Sequence, residues 1–183
     1  MCGIFAVLSS NIKENGDFEK QNFHKGKNRG PESSVFKKVN NNILFGFHRL
    51  AINGYTNPLS EQPIELEDCV LICNGEIYNW KYLHHSLNIP TKTGSDCEII
   101  IHLYKKFGIE YTLNILDGVF AFILLDKNAN KVFVSRDPYG VRPLFCSYHK
   151  ANECHFHYIF SSELKMMIHM ITDQIYKAEQ FTP

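Results

Sequence analysis

A cysteine stands directly after the initiator methionine, in the sequence Met1-Cys2-Gly3. Removal of Met1 would make Cys2 the first residue, so that one residue would carry both a thiol and a free α-amine. An α-amine titrates near ~7.7–8.0 and a lysine near ~10.4, so much more of the α-amine is free base near neutral pH. Such an amine can activate the thiol as a nucleophile. The alternative is that Met1 is retained and Cys2 is a small apolar residue at the start of a strand.

The dipeptide Asn74-Gly75 follows the apolar run Leu71-Ile72-Cys73. Asn-Gly between apolar runs is the strongest short signal for a two-residue hairpin turn. The same dipeptide also offers two adjacent hydrogen-bond donors, the side-chain NH₂ of Asn74 and the backbone N–H of Gly75. Two such donors form an oxyanion hole, and the loss of one typically slows a reaction by ~10²–10³. The helical pattern that begins after Asn79 fits a hairpin poorly.

Two charged residues lie where each needs a partner. Arg49 interrupts an apolar stretch, and a buried guanidinium costs several kcal/mol unless it is paired. Its partner is either a carboxylate of this chain, such as Glu76 or Asp96, or the carboxylate of a ligand, which fits the bidentate fork. Asp96 either stabilises the N-terminus of the helix that follows it or holds a ligand ammonium. The residues alone leave both pairs of alternatives open.

Short apolar blocks of four to eight residues dominate the chain and predict β-strands. The block 119–125 does not alternate between apolar and polar residues, so we expect it to be covered on both faces. Two sheets packed together, each covered on its outer side by helices, would explain such a strand. The polar segments 13–16, 37–42 and 127–131 are predicted to be turns. The predicted strands span residues 4–8, 43–47, 69–73, 119–125, 132–135 and 156–160.

Helical periodicity is clearest over residues 97–107. Ser95 and Glu98 at the start of this segment match a capping box. The chain contains no internal repeat and no linker, so we predict a single domain over residues 2–183. The other predicted helices span residues 80–87 with Asn79 as N-cap, 163–169 with Ser161 or Ser162 as cap, and 17–27.

The 183-residue chain has 19 basic and 19 acidic side chains, so its formal charge is zero. This balance argues against nucleic acid as a partner, and no apolar run approaches the ~20 residues that span a membrane. The six cysteines are scattered and no secretory signal precedes them, so we expect reduced thiols and a cytoplasmic location. The pairs Cys69/Cys73 and His155/His157 each lack the second pair that a zinc site needs, and we expect no metal site.

Six segments, spread in order over nearly the whole chain, carry a family resemblance: Met1-Cys2-Gly3-Ile4, Arg29-Gly30-Pro31, His48-Arg49-Leu50-Ala51, Asn74-Gly75-Glu76-Ile77-Tyr78-Asn79, Gly94-Ser95-Asp96 and Arg136-Asp137-Pro138-Tyr139-Gly140. Together they resemble class II glutamine amidotransferases, which are N-terminal-nucleophile hydrolases. Within that family the chain most resembles the glutaminase domain of glutamine-hydrolysing asparagine synthetases, above all at residues 74–79 and 116–122.

The resemblance implies an α+β fold, a four-layer αββα sandwich of two antiparallel sheets covered by helices. It also implies that Cys2 attacks the side-chain amide of L-glutamine while its own α-amine shuttles the proton. Asn74 and the Gly75 N–H would hold the oxyanion, ammonia would leave, and water would release glutamate from the thioester. The asparagine-synthetase likeness places this reaction in asparagine biosynthesis.

The resemblance further assigns the recognition of the substrate as a free amino acid. Arg49 would bind the α-carboxylate with help from the backbone of the four residues after it, and Asp96, Glu76 and the Gly75 carbonyl would bind the α-ammonium. The residues assigned to glutamine binding are Arg49, Leu50, Ala51, Ile52, Asn53, Asn74, Gly75, Glu76 and Asp96.

The chain departs from the family in two respects. Glu32 follows Arg-Gly-Pro where the family usually has aspartate, which adds a methylene to the loop over the pocket. The chain also lacks the Ser-Gly-Gly-x-Asp-Ser segment of the synthetase domain, so we expect no cofactor here, ATP and Mg²⁺ belonging to that absent domain. Either a synthetase partner acts in trans, or the chain is a stand-alone or truncated glutaminase. The alternative function is a non-catalytic glutamine-binding or regulatory module.

Overall fold

A computed structural model describes residues 1–12, 16–54, 57–152, 155–171 and 177–182 of the chain. These residues form two compact units, of which the first is built from two separate segments of the chain. The first unit comprises Met1–Leu50 and Pro143–Thr182, and the second comprises Ala51–Arg142.

Each unit contains one antiparallel sheet and its own helices. The strands of the described residues are β1 Gly3–Ser9, β2 Ser33–Asn40, β3 Ile43–Arg49, β4 Ile64–Leu66, β5 Cys69–Ile77, β6 Gly118–Asp126, β7 Lys131–Arg136, β8 Phe145–Asn152, β9 His155–Ser161 and β10 Ala178–Gln180. The α-helices are α1 Asp17–His24, α2 Trp80–Ser86, α3 Glu98–Phe107 and α4 Ile109–Ile115, with 3₁₀ turns at Lys27–Arg29, Pro58–Ser60, Leu164–Met166 and Ile168–Met170.

The sheet of the first unit has six strands in the order β10-β8-β9-β1-β3-β2. Strand β1 is central, and Phe5 lies opposite Gly46 of β3 and Ser161 of β9. Apolar side chains of β1 pack against Phe23 of α1 in the core of this unit. Cys2 therefore directly precedes a strand that is paired on both sides.

The sheet of the second unit has four strands in the order β4-β5-β6-β7. The central strands β5 and β6 pair along their whole length, from Cys69 opposite Asp126 to Ile77 opposite Gly118. One face of this sheet packs against the apolar face of α3. Val70 and Ile72, on the other face of β5, are also fully buried. The central strands are therefore covered on both faces, as their continuous apolar sequences predict.

The predicted α+β class is confirmed, with two antiparallel sheets and helices in each unit. All six predicted strands are present, and the helices predicted at 97–107, 80–87 and 17–27 are present with shifted ends. The predicted turn at 37–42 is wrong over most of its length, because β2 continues to Asn40 and only residues 41–42 turn. Residues 13–15 of another predicted turn lie outside the described residues.

The cap predictions are wrong at two places. The helix predicted at 163–169 is wrong, because the segment forms two 3₁₀ turns. Its expected caps are used elsewhere, because the Ser161 hydroxyl donates to the Glu163 carbonyl and the Ser162 hydroxyl accepts from the Ile4 N–H. At the start of α3 the Ser95 hydroxyl accepts from the Cys97 N–H and the Glu98 carboxylate bonds residues 91–93, so no capping box forms.

Candidate active site

The candidate residues fall into two groups. Cys2, Arg49 and Leu50 belong to the first unit, and the remaining candidates belong to the second. Of the latter, Ile52 is 57% exposed and Ala51 is half-buried. The geometry within each unit shows which side chains are fixed and which polar groups are available to a ligand.

Cys2 lies at the start of β1 with its sulfur held by backbone. Its thiol donates to the Leu50 carbonyl at 3.3 Å, and the Leu50 N–H donates to Sγ at 3.4 Å. Arg29, to which the sequence analysis assigns no role in the site, donates from Nε to the Cys2 carbonyl at 2.9 Å. An N–H that points at sulfur stabilises negative charge on it. Met1 is 52% exposed, which leaves the residue before the thiol accessible.

The other described cysteines are unsuited to nucleophilic chemistry. All five described cysteines are free thiols, and Cys2 is the one among them that is not buried. Burial raises the pKa of Cys69 and of Cys146 to about 11, so both thiols are protonated near neutral pH. Among the residues that the structure describes, no cluster of three or more His, Cys, Asp or Glu could hold a metal ion.

Arg49 ends β3 and is held there by the loop that follows Arg29. Pro31 forms a parallel bridge with Arg49, and the Glu32 N–H donates to the Arg49 carbonyl at 3.2 Å. A Cβ on Gly30 would lie 2.4 Å from the carbonyl carbon of His48 and 2.5 Å from that of Arg49, so only glycine fits. Because Glu32 makes this contact through its backbone, the contact does not depend on the extra methylene of its side chain.

His48 fixes the strand end from inside the first unit. Its ring is fully buried, stacks on Phe23 at 3.9 Å, and has Nε2 at 2.9 Å from the Phe23 carbonyl and Nδ1 at 2.7 Å from the Ser34 hydroxyl. Since a carbonyl only accepts, Nε2 carries the proton and Nδ1 accepts from the hydroxyl. Burial lowers the pKa of His48; the hydrogen bond with the Phe23 carbonyl opposes this effect, and the nearby His24 and Lys27 add to it. The ring is therefore neutral.

Asn74 and Gly75 lie inside β5, opposite Ala121 and Phe120 of β6. The hairpin-turn prediction is wrong, because the strand continues in register to Ile77. Asn74 is 1% exposed, and its side-chain Nδ2 has no hydrogen-bond partner in the described part of the chain. A buried donor without a partner is rare in native proteins and points to a ligand or a functional role.

The backbone groups of Gly75 face away from β6. In an antiparallel pair, opposite residues exchange either both backbone hydrogen bonds or neither. The N–H and C=O of Phe120, opposite Gly75, bond Asp137 instead, at 3.2 and 2.8 Å. Gly75 therefore directs its N–H and C=O toward the other edge of β5, where Gln62 bonds both backbone groups of Cys73. A Cβ on Gly75 would lie 2.5 Å from the Val119 carbonyl oxygen, which explains the glycine.

Asp96 lies at the same edge of β5 and is 5% exposed. Its Oδ2 accepts the Ile77 N–H at 2.8 Å. Burial raises the pKa of Asp96; bonds from Ile77 and Asn53 oppose the rise, and the neighbouring charge of Glu76 adds to it. A desolvated carboxyl beside a second carboxylate gains from a cation. These residues can therefore receive an ammonium group.

Glu76 is held by the loop that follows β7. Arg142 Nη2 lies 3.4 Å from Glu76 Oε1. Arg136 donates to the carbonyls of Gly140 and Arg142, the latter at 2.6 Å, and the Asp137 carboxylate accepts the Arg142 N–H. The high density of charged residues, proline and glycine at 136–143 indicates this loop in the sequence. It does not predict that Arg142 pairs with Glu76.

The protein family of the chain follows from its similarity to known proteins. The chain belongs to the glutamine amidotransferase domain family, whose profile matches residues 1–180. This membership confirms the predicted kind of enzyme, a glutamine amidotransferase. Across the described residues, no helix has the length and apolarity needed to cross a membrane.

The chain is similar to proteins named asparagine synthetase (glutamine-hydrolyzing). It is 47% identical over 150 residues to the one from Bos taurus, 46% over 151 residues to the one from Homo sapiens and 44% over 148 residues to the one from Gallus gallus. Each match covers 79% of this chain and 26% of the relative. The chain thus spans about a quarter of the length of these relatives.

Proposed function

We propose that this chain hydrolyses the side-chain amide of L-glutamine to glutamate and ammonia. The structural observation that carries the proposal is the Asn74 amide, a buried donor that no described residue satisfies. It is the kind of preorganised donor that stabilises a developing oxyanion. Membership of the glutamine amidotransferase domain family supports the same reaction.

In this proposal Cys2 is the nucleophile once Met1 has been removed. The thiol gives its proton to the α-amine of the same residue, and sulfur forms a bond to the carboxamide carbon of glutamine. The carbon–nitrogen bond then breaks, and the amine returns the proton to the departing ammonia. Water attacks the thioester, which releases glutamate and restores the thiol. The Leu50 N–H at 3.4 Å from Sγ supports the role of sulfur, because it favours the thiolate.

The oxyanion formed at each attack would be held by Asn74 and Gly75. The support is that Asn74 Nδ2 is buried without a described partner and that the Gly75 N–H is not used by the pairing of β5 with β6. Both residues belong to a central strand and the Asn74 side chain is buried, which limits the reorganisation that the reaction needs.

The ends of the substrate would be recognised by opposite charges. We assign the α-carboxylate to Arg49, assisted by residues 50–53, and the α-ammonium to Asp96, Glu76 and the Gly75 carbonyl. The desolvation of Asp96 supports the second assignment, since ion pairing would offset the burial that raises its pKa. A site that requires both charged groups selects a free amino acid over a glutamine within a peptide.

We further propose that the ammonia serves asparagine synthesis. The names of the relatives support this. So does their length, because the matched region makes up only 26% of each relative. An ATP-dependent synthetase part, covalently attached or acting in trans, would bind ATP and Mg²⁺ and would amidate aspartate, while this chain needs no cofactor of its own. We also propose a cytoplasmic location, which the free thiols of the described cysteines support.

The test is to incubate the purified chain with L-glutamine and to measure glutamate and ammonia in equal amounts. Cys2→Ala should abolish both products, whereas the matched variant Cys146→Ala, at a buried thiol with a raised pKa, should keep them. Calorimetric binding of glutamine by the wild-type chain without ammonia release would contradict catalysis and would favour a glutamine-binding or regulatory module.

A further inference from the structure

Glu98 is a fully buried carboxylate at the first position of α3. It turns back toward the loop of residues 91–96, where it accepts the Lys92 N–H at 2.8 Å and the Thr93 N–H at 2.6 Å. From the next turn of the helix, His102 Nε2 lies 3.0 Å from its Oε1. Burial opposes ionisation of Glu98, but the bonds from His102, Thr93 and Lys92 outweigh it, so its pKa lies well below its usual range.

Two threonine hydroxyls connect this carboxylate to backbone N–H groups further along the loop. The Thr91 hydroxyl donates to Glu98 Oε2 at 3.0 Å and accepts the Gly94 N–H at 3.0 Å. The Thr93 hydroxyl donates to Glu98 Oε2 at 2.6 Å and accepts the Ser95 N–H at 3.0 Å. An ionised carboxylate is an acceptor only, so it orients both hydroxyls with their lone pairs toward the loop.

The segment held in this way leads directly to Asp96. Asn57 clamps the same loop from its other side, because its Nδ2 donates to the carbonyls of Lys92 at 3.2 Å and Thr93 at 2.8 Å. Asp96 follows immediately and bonds the Ile77 N–H. The buried Glu98 carboxylate thus bonds residues 91–93, the segment that leads to Asp96, while Asp96 itself bonds the edge of β5.

We propose that Glu98 is a positioning residue for substrate recognition, whose carboxylate acts through the hydroxyls of Thr91 and Thr93 to hold Asp96 where it meets the α-ammonium of glutamine. This inference rests on the proposed function, since it assigns the ammonium contact to Asp96. A carboxylate that only stabilised α3 would affect folding and would leave the recognition of glutamine unchanged. The two roles therefore predict different effects of substitution on the KM for glutamine.

The decisive comparison is between Thr93→Val and Thr93→Ser. Valine keeps the shape of threonine and removes the hydroxyl, whereas serine keeps the hydroxyl. Because hydrogen bonds to charged groups are strong, we expect Thr93→Val to raise the KM for glutamine about tenfold with kcat within about twofold of wild type, and Thr93→Ser to restore KM. Glu98→Gln should raise KM at least as much, and Glu110→Gln, at an exposed glutamate of α4, should not.

A second measurement reports on the loop itself and needs no turnover. Amide hydrogen exchange in segment 91–97 of the ligand-free chain should be faster in Thr93→Val than in wild type and should return toward wild type in Thr93→Ser. Unchanged exchange, or faster exchange with an unchanged KM, would overturn the inference. If the wild-type chain releases no ammonia, the proposed function fails instead, and the exchange comparison still decides whether the carboxylate holds the loop.

Discussion

Replacing Asn74 with alanine removes a buried amide donor for which the described residues provide no partner. If that donor serves the oxyanion, its loss acts on the transition state and not on the bound substrate. A single oxyanion donor is worth ~10²–10³ in kcat, or about 2.7–4 kcal/mol. We therefore expect kcat to fall by about two to three orders of magnitude while KM stays within about threefold.

The effect on stability should be modest. A buried donor without a partner costs the folded state about 1–3 kcal/mol, and its removal relieves that cost. The lost packing and the small cavity act in the opposite direction and are of similar size. The free energy of unfolding should change by no more than about 2 kcal/mol, which for a chain of this length is a Tm shift of less than about 8 °C.

Asn79→Ala is the matched control because its amide is fully engaged. Asn79 Nδ2 donates to the Ile115 carbonyl at 2.8 Å, and its Oδ1 accepts the Asp117 N–H at 3.2 Å. Loss of two such bonds should lower the free energy of unfolding by about 1–3 kcal/mol. The kcat of Asn79→Ala should stay near wild type. Comparing Asn74→Ala with Asn79→Ala therefore separates an effect on the reaction rate from an effect on stability.

The assay is steady-state ammonia release over a range of glutamine concentrations, combined with thermal unfolding of each variant. If Asn74→Ala keeps more than a tenth of the wild-type kcat, the amide does not stabilise the oxyanion. If kcat falls only together with a large loss of stability, the effect belongs to folding, and the reasoning from the unpartnered donor is wrong.

Three further substitutions test other parts of the account. Asp96→Asn removes the charge proposed for the α-ammonium and should raise KM about 10- to 100-fold with little change in kcat, measured by the same kinetics. Gly30→Ala places a Cβ 2.5 Å from the Arg49 carbonyl carbon, so the Tm should fall by several degrees and KM should rise; an unchanged Tm would contradict the close approach. Burial is the main cause of the lowered pKa of His48, so the unfolded state binds more protons and stability falls as the pH drops below about 6.5, the ordinary pKa of histidine. Denaturant unfolding should therefore show that His48→Gln loses less stability than wild type between pH 6.5 and 5.5, and equal losses would contradict the lowered pKa.

The sequence predicts the central strands because burial on both faces leaves a continuous apolar run. The block 119–125 became β6, and 69–73 became the first half of β5. The short strands β4 and β10 span three residues each, too few for any periodicity to register. Strand β8 alternates weakly and mixes polar with aromatic residues, so no apolar block marks it.

At Asn74-Gly75, strand pairing overrides the local preference of the sequence. Asn-Gly carries a real preference for a turn, but pairing with β6 over the whole of β5 overrides it. The direction of the Gly75 N–H depends on register, and register depends on residues nearly fifty positions away, at 118–126. The residues alone offer an oxyanion hole as one alternative and the resemblance favours it, but the geometry that supports it comes only from the fold.

Glu98 illustrates a second limit. Ser-x-x-Glu before an apolar stripe is a capping-box pattern, but the carboxylate instead bonds Thr93 and Lys92. A sequence pattern depends only on the spacing of residues along the chain. A buried carboxylate instead accepts hydrogen bonds from the donors that folding brings close to it. The same applies to Arg142, whose partner Glu76 lies 66 residues away.

The central claim is that Cys2, as the first residue of the mature chain, is the nucleophile. The most direct test combines N-terminal sequencing of active protein with treatment by a glutamine-mimicking diazoketone and peptide mass spectrometry. The account predicts that Met1 is absent, that the reagent loses nitrogen and forms a thioether on Cys2, and that ammonia release stops as this adduct accumulates. Active protein that retains Met1, or inactivation without an adduct on Cys2, would contradict it.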